Sequence, residues 1–190
     1  MNVSSRHKGE LRPVTHLDLG CEFRGGQRQV LYLAAEQGGE GRPVRVAAPA
    51  GSPILARAAA QGLETLALPG RRDFDPRNLL ALGRALAASE ILHTHDARAA
   101  SLGAQLRLLR PASALVHTRR VSYPLGRGWS ASKYRLADLV VCVSREVEEA
   151  VRLAGVTRTV VIPSAILLAR YAPRLPGNDG RMGIIGALSP

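Results

Sequence analysis

Val14-Thr15-His16-Leu17-Asp18-Leu19-Gly20-Cys21-Glu22-Phe23-Arg24-Gly25-Gly26-Gln27 is the stretch that decides the fold. Val14 to Leu19 has strand length. The glycine-bearing segment after it opens an amphipathic run, Gly26 to Gln37, and a second strand-like run, Val44 to Ala48, follows. Strand, helix and strand in that order form a βαβ unit, the connection that parallel neighbouring strands require.

The rhythm continues outward from this unit. The spacing predicts a helix over 53–61, a strand over 64–68, a helix over 76–88, a strand over 91–95, a helix over 98–109 and a strand over 114–118. A strand over 139–143, a helix over 145–153 and a strand over 159–162 complete the series. Strands alternating with crossover helices imply an α/β fold, a Rossmann-like doubly wound parallel sheet covered on both faces. Two stretches interrupt the pattern. Arg119 to Ser132 holds arginines, a proline, glycines and the only tryptophan, and reads as a long functional loop. Pro173 to Gly180 reads as a linker, and Met182 to Ala187 reads as a fresh strand. The expected organisation is therefore a flexible leader over 1–12, one domain over 13–172, a linker over 173–180, and over 181–190 the first strand of a further, truncated domain.

Composition narrows the function classes. Among 190 residues, 46% are hydrophobic and 22% charged, which excludes a wholly disordered chain. No apolar run reaches the roughly 18 residues of a spanning helix. Met1 to Glu10 shows no secretory signal, so a cytoplasmic location is expected. Cys21 and Cys142 fit neither a zinc spacing nor a redox pair and read as reduced thiols. The net charge of +11 predicts attraction to anions: phosphate esters, an acidic membrane surface or nucleic acid. Aromatic residues for base stacking are only 4%, and no nucleic-acid motif appears, so nucleic acid is not expected as a partner.

Three groups of residues could carry chemistry. The loop Gly20 to Gln27 lies where a doubly wound sheet presents backbone N–H groups to an anion, although it matches neither the dinucleotide fingerprint nor a Walker loop. His93-Thr94-His95-Asp96 ends the fourth strand, and the spacing of two puts both imidazoles on one face. They suit polar contact or proton chemistry with a bound hydroxyl. A metal would need a third ligand that the sequence does not locate, so none is expected. Asp96 also fits the N-cap of the next helix. His117-Thr118-Arg119-Arg120 ends the fifth strand, and both guanidinium groups are expected to approach the same crevice and grip a phosphate or carboxylate, the alternative being a solvated basic turn. Ser144 stands where either an N-cap or a ligand contact fits.

Five segments together resemble the family 4 retaining glycosyltransferases, whose GT-B fold consists of two facing Rossmann-like domains. They are Arg24 to Gln29, like the family's glycine loop; Ile91 to Asp96, like its strand ending in His-x-His; and His117 to Pro124, like the next strand and loop. Ala137 to Ser144 and Val160 to Ile166 match two later segments, and Met182 to Pro190 is similar to the opening of the second domain. The resemblance implies the N-terminal half of a GT-B fold. The implied activity is transfer, with retention, of a sugar from a nucleotide-sugar donor to a lipid-linked or cell-envelope glycan, without a cofactor. It implies that Gly25 and Gly26 approach the donor diphosphate, that His95 is catalytic, and that Arg119, Arg120 and Asp96 bind the acceptor. It also implies inactivity of this fragment alone, and the excess of arginine together with a lipid-linked acceptor suggests peripheral contact with an anionic inner membrane. Two departures stand out: Arg120 replaces a frequent histidine and cannot act as a base at neutral pH, and Ala165 replaces a usual glycine. The alternatives are a non-enzymatic anion or nucleic-acid binding module, or another Rossmann-like nucleotide enzyme.

Overall fold

A computed structural model describes residues 11–111 and 113–167. The chain runs β1 (Val14–Leu17), α1 (Gly25–Gly39), β2 (Val44–Pro49), α2 (Pro53–Ala60), β3 (Glu64–Leu68), α3 (Pro76–Ala85), β4 (Ile91–Thr94) and α4 (Ala97–Leu109). It continues with β5 (Ala114–Arg119), α5 (Trp129–Arg135), β6 (Leu139–Cys142), α6 (Arg145–Leu153) and β7 (Thr159–Val161). The strands form one parallel sheet in the order β3-β2-β1-β4-β5-β6-β7. This is the α/β, Rossmann-like sheet expected from the sequence. The linker over 173–180 and the strand over 182–187 lie outside the described residues, as does most of the leader.

The order reverses between β1 and β4, so the crevice beyond their carboxyl ends is the switch point where such sheets bind ligands. Right-handed crossovers send α1 and α2 to one face of the sheet and α3 to α6 to the other. Two apolar clusters follow from this. Val30, Leu31 and Ala34 of α1 pack with Val46 and Ala48 of β2 and with Ile54 of α2. Leu82, Leu102, Leu106, Val147 and Val151 pack beneath Leu92, Leu115 and Val140 on the opposite face.

Capping chemistry ends the helices where the sequence calls for it. Asp75 accepts from Arg77 N ahead of the proline that opens α3. Ser144 accepts from Val147 N, and Glu146 and Glu148 complement the first turn of α6. One element differs from expectation. The segment 119–132 is not loop throughout, because Trp129–Arg135 forms α5, whose buried Ala131 and Tyr134 give it an apolar face against the sheet. The Gly-Arg-Gly and Pro punctuation before it masks this short helix in the sequence.

Candidate functional site

Alternation along each strand decides which side chains meet at the crevice. Leu17, Leu92 and Leu115 face the α3 to α6 layer. Their neighbours His16, His93 and Thr118 therefore face the α1 side, and so does Arg120 just past β5. His16 and His93 stand opposite each other in the β1–β4 register.

The turn into α1 is built around Asp18. Its Oδ1 accepts from Gly20 N at 2.8 Å and from Gln27 Nε2 at 2.9 Å. A Cβ at Gly20 would lie 2.3 Å from Gln27 Nε2, so only glycine fits there. Gln27 in turn accepts from Arg24 N at 3.0 Å. Gly25 and Gly26 open the helix with no side-chain cap and no acidic residue in the first turn, which leaves an electropositive helix terminus. A Cβ on Gly25 would meet nothing within 4 Å, whereas one on Gly26 would stand 3.8 Å from Arg120 Cδ and Nε. Arg120 is thus beside the terminus. Its Nε is buried and without a partner among the described residues. Burial lowers its pKa and Asp18 opposes the shift. Burial raises that of Asp18, as does Asp96, against the hydrogen bonds from Gln27 and Gly20.

Behind Arg120 lies a stack of imidazoles. The His93 and His95 ring centroids are 4.2 Å apart, and His16 is 5.3 Å from His93 and 5.1 Å from His95. His16 Nδ1 lies 2.9 Å from His95 Nε2, and His16 Nε2 lies 2.9 Å from Gln37 Oε1. His93 Nε2 bonds Thr118 Oγ1 at 2.7 Å. His95 Nδ1 faces Arg120, 3.5 Å from its Nη2. Burial is the main cause that lowers His16 to about 4 and holds His93 and His95 well below the ordinary imidazole range, with the neighbouring rings and Arg120 adding to it for the latter two. At neutral pH His95 is a neutral hydrogen-bonding ring, not a cation. Of the three rings, His93 borders a cavity of about 520 Å³ lined also by Thr118, Arg120, Gln37, Val141 and Ile162.

The structure brings Gly26 and His95 to either side of Arg120, with Gly25 next to Gly26 in the first turn, and corrects the placement of Arg119. The sequence reading sends both guanidinium groups there, but consecutive residues on a strand point to opposite faces. Arg119 is 5% exposed on the α5 side, its Nη2 donating to Tyr123 O and its charge 5.4 and 5.6 Å from the Tyr123 and Tyr134 rings. Asp96 is committed to structure. Its Oδ1 accepts from Arg98 N and Ala99 N as the cap of α4, and its Oδ2 accepts from Leu19 N at 2.6 Å. Sequence reasoning missed His16, Gln37, Asp18 and Lys133. His16 and Asp18 share a face of β1 by alternation, but their partners depend on the strand order, which the sequence does not give. Lys133, 7% exposed, donates to Ala97 O at 2.6 Å and to Ser101 Oγ at 3.1 Å, tying α5 to α4.

His16, His93 and His95 are also the set whose potential ligand atoms lie within 4.8 Å of one another. His16 supplies the third imidazole that the sequence could not place. The gap between His16 and His95 is nevertheless hydrogen-bond length, a proton fills it, and the Arg120 charge stands beside the outer nitrogen of His95. The stack as built is a hydrogen-bonded array.

The site is thus a Rossmann-like sheet with a glycine-bearing helix terminus and an arginine at its switch point. The family model described as Glycosyltransferase Family 4 matches residues 23–170, and the chain belongs to that family. No curated protein matches it. Among solved structures, the HepE protein of Anabaena in complex with UDP-glucose superposes with a TM-score of 0.65 at 16% identity, covering 84% of this chain and 45% of HepE. A glycosyltransferase from Rickettsia africae gives a TM-score of 0.64 at 15% identity, over 82% of this chain and 43% of the other. The lipopolysaccharide outer core galactosyltransferase WaaB in its apo form gives 0.58 at 9% identity, over 80% and 45%. The chain spans less than half the length of each. No helix among the described residues is long and apolar enough to cross a membrane.

Proposed function

We propose that this chain is the acceptor-side half of a retaining glycosyltransferase that moves a sugar from a nucleotide-sugar donor to a lipid-linked or cell-envelope glycan. One observation carries the reading: Arg120 lies between the first turn of α1 and His95, with a buried donor that has no partner among the described residues. A diphosphate set against Gly25 and Gly26 accepts from the helix terminus and from the Arg120 fork together. Cleavage of the sugar–diphosphate bond leaves negative charge on the diphosphate. Donors already in place stabilise that charge without reorganising. The neutral His95 ring beside them offers a hydrogen bond to a sugar hydroxyl. The binding of UDP-glucose by HepE, a structure of the same fold, supports a nucleotide sugar as donor.

Arg119 and Asp96 do not enter this mechanism, since both are engaged in the fold. The resemblance implies that a second, facing Rossmann-like domain completes the donor site, and the chain alone should not turn over. The test is incubation of the full-length protein with a panel of nucleotide sugars and a glycan acceptor. Release of the nucleoside diphosphate and the anomeric configuration of the product are followed by proton NMR. Retention of configuration is expected. No release with any donor, or an inverted product, overturns the reading.

A further inference from the structure

The imidazole stack has a direction. Arg120 is a donor only, so the nitrogen facing it, His95 Nδ1, must present a lone pair. A neutral ring accepting at Nδ1 carries its proton on Nε2. That proton points at His16 Nδ1, 2.9 Å away, which must accept. His16 then carries its own proton on Nε2 and donates it to Gln37 Oε1 at 2.9 Å. Reversing every bond would place an N–H of His95 against the guanidinium, so the two ends of the chain agree on one orientation. The outer ring cannot easily turn. His93 stacks on it at 4.2 Å and is itself held by Thr118 Oγ1.

We propose that His16 and Gln37 are positioning residues that lock His95 as the Nε2–H tautomer, so that its Nδ1 faces the crevice as an acceptor for a neutral hydroxyl. This deepens the proposed function and rests on it for the identity of the hydroxyl, but the tautomer itself does not depend on any activity. When an anion draws Arg120 toward the α1 terminus, Nδ1 loses its partner and is free to take a sugar hydroxyl. The site then selects a hydroxyl donor, because an analogue lacking that hydroxyl leaves a buried lone pair unpaired. The hydrogen bond at one ring nitrogen sets which nitrogen of a histidine carries the proton, and at metal-bound histidines loss of such a partner costs roughly 10- to 100-fold in affinity or activity, the scale expected for this array.

The test is nitrogen-15 NMR of the histidine side chains in the 190-residue chain at neutral pH, with His95 assigned by substitution. His95 should show an unprotonated Nδ1 and a protonated Nε2. His16→Phe removes the acceptor and should redistribute His95 between tautomers, whereas His16→Asn, whose side-chain oxygen can stand in for Nδ1, should restore the native signature. In the full-length protein His16→Phe should lower kcat by about 10- to 100-fold with a smaller change in donor KM, and His16→Asn should recover most of the loss. If His16→Phe fails to fold, Gln37→Leu gives the same comparison from the other end. A proton on His95 Nδ1 in the native chain, or a His95 signature indifferent to both His16→Phe and Gln37→Leu, overturns the proposal. An intact tautomer lock in a protein that releases no nucleoside diphosphate overturns the function instead.

Discussion

Arg119 and Arg120 are neighbours in the chain and lie on opposite faces of the sheet. Arg119 runs under α5 to the Tyr123 carbonyl and the Tyr134 ring, while Arg120 runs to Gly26 and His95. Arg119→Ala removes a buried hydrogen bond and two ring contacts, and should lower unfolding stability by about 2 kcal/mol. Urea denaturation of the two alanine variants checks this: Arg119→Ala shifts the midpoint and Arg120→Ala hardly moves it. Equal stability of the two would mean that Arg119 is not held as described.

Acid should loosen the fold through its buried histidines. His117 accepts from Thr94 Oγ1 at Nδ1, donates to Lys133 O at 3.1 Å, and is lowered to about 4, chiefly by burial. His16 is lowered to about 4 as well. A histidine whose folded pKa lies below its unfolded value of 6.5 binds more protons when unfolded. Its contribution is complete above pH 6.5 and is lost as pH falls toward 4. Each of the two should contribute on the order of 3 kcal/mol to that loss. Urea midpoints at pH 7 and pH 4 read most of it directly. A midpoint that does not fall between them would show these rings to be solvated.

Two glycines of one loop should separate folding from binding. Gly20→Ala places a methyl group against Gln27 and the Asp18 carboxylate, and should destabilise the chain by roughly 1–3 kcal/mol. Gly25→Ala has open space around it and should leave stability equal or slightly higher, since alanine is the better helix former by about 1 kcal/mol. The same methyl group obstructs a phosphate at the helix terminus, so donor KM should rise in the full-length protein. Thermal midpoints and donor titrations on both variants test the pair, and an unchanged KM in Gly25→Ala would remove the phosphate from this loop.

The fold was legible because its alternating period survives from Val14 to Ile162, with Asp96 and Ser144 marking helix starts by their capping chemistry. The site was legible only in part. Gly25, Gly26 and His95 could be placed because strand ends of an α/β sheet face a known crevice. Arg119 was misassigned although alternation, visible in the sequence, already separates it from Arg120. His16 was not found because its partner, His95, is 79 residues away and meets it only once β1 lies beside β4, and Gln37 was not found because it acts through His16, 21 residues away.

Membrane contact is the remaining expectation of the charge. Phe74, 60% exposed, lies 6.1 Å from Trp129 of α5, with Arg71, Arg72 and Arg127 exposed nearby in sequence. Aromatic rings beside arginines suit an anionic bilayer surface, at about 1 kcal/mol per basic residue. The full-length protein should float with anionic liposomes and not with neutral ones, and Phe74→Ser with Trp129→Ser should weaken flotation. Equal flotation with both liposomes would leave a soluble acceptor as the simpler partner.

The central claim is that Arg120 and the α1 terminus hold the donor diphosphate as the glycosidic bond breaks. The direct measurement is the steady-state release of nucleoside diphosphate by the full-length protein and its Arg120→Ala variant, with thermal midpoints taken on the same preparations. Loss of a charged partner of about 2–5 kcal/mol predicts a fall in kcat/KM of roughly 30- to 4,000-fold at an unchanged midpoint. Turnover equal to that of the native protein, from a variant equally folded, would contradict the account.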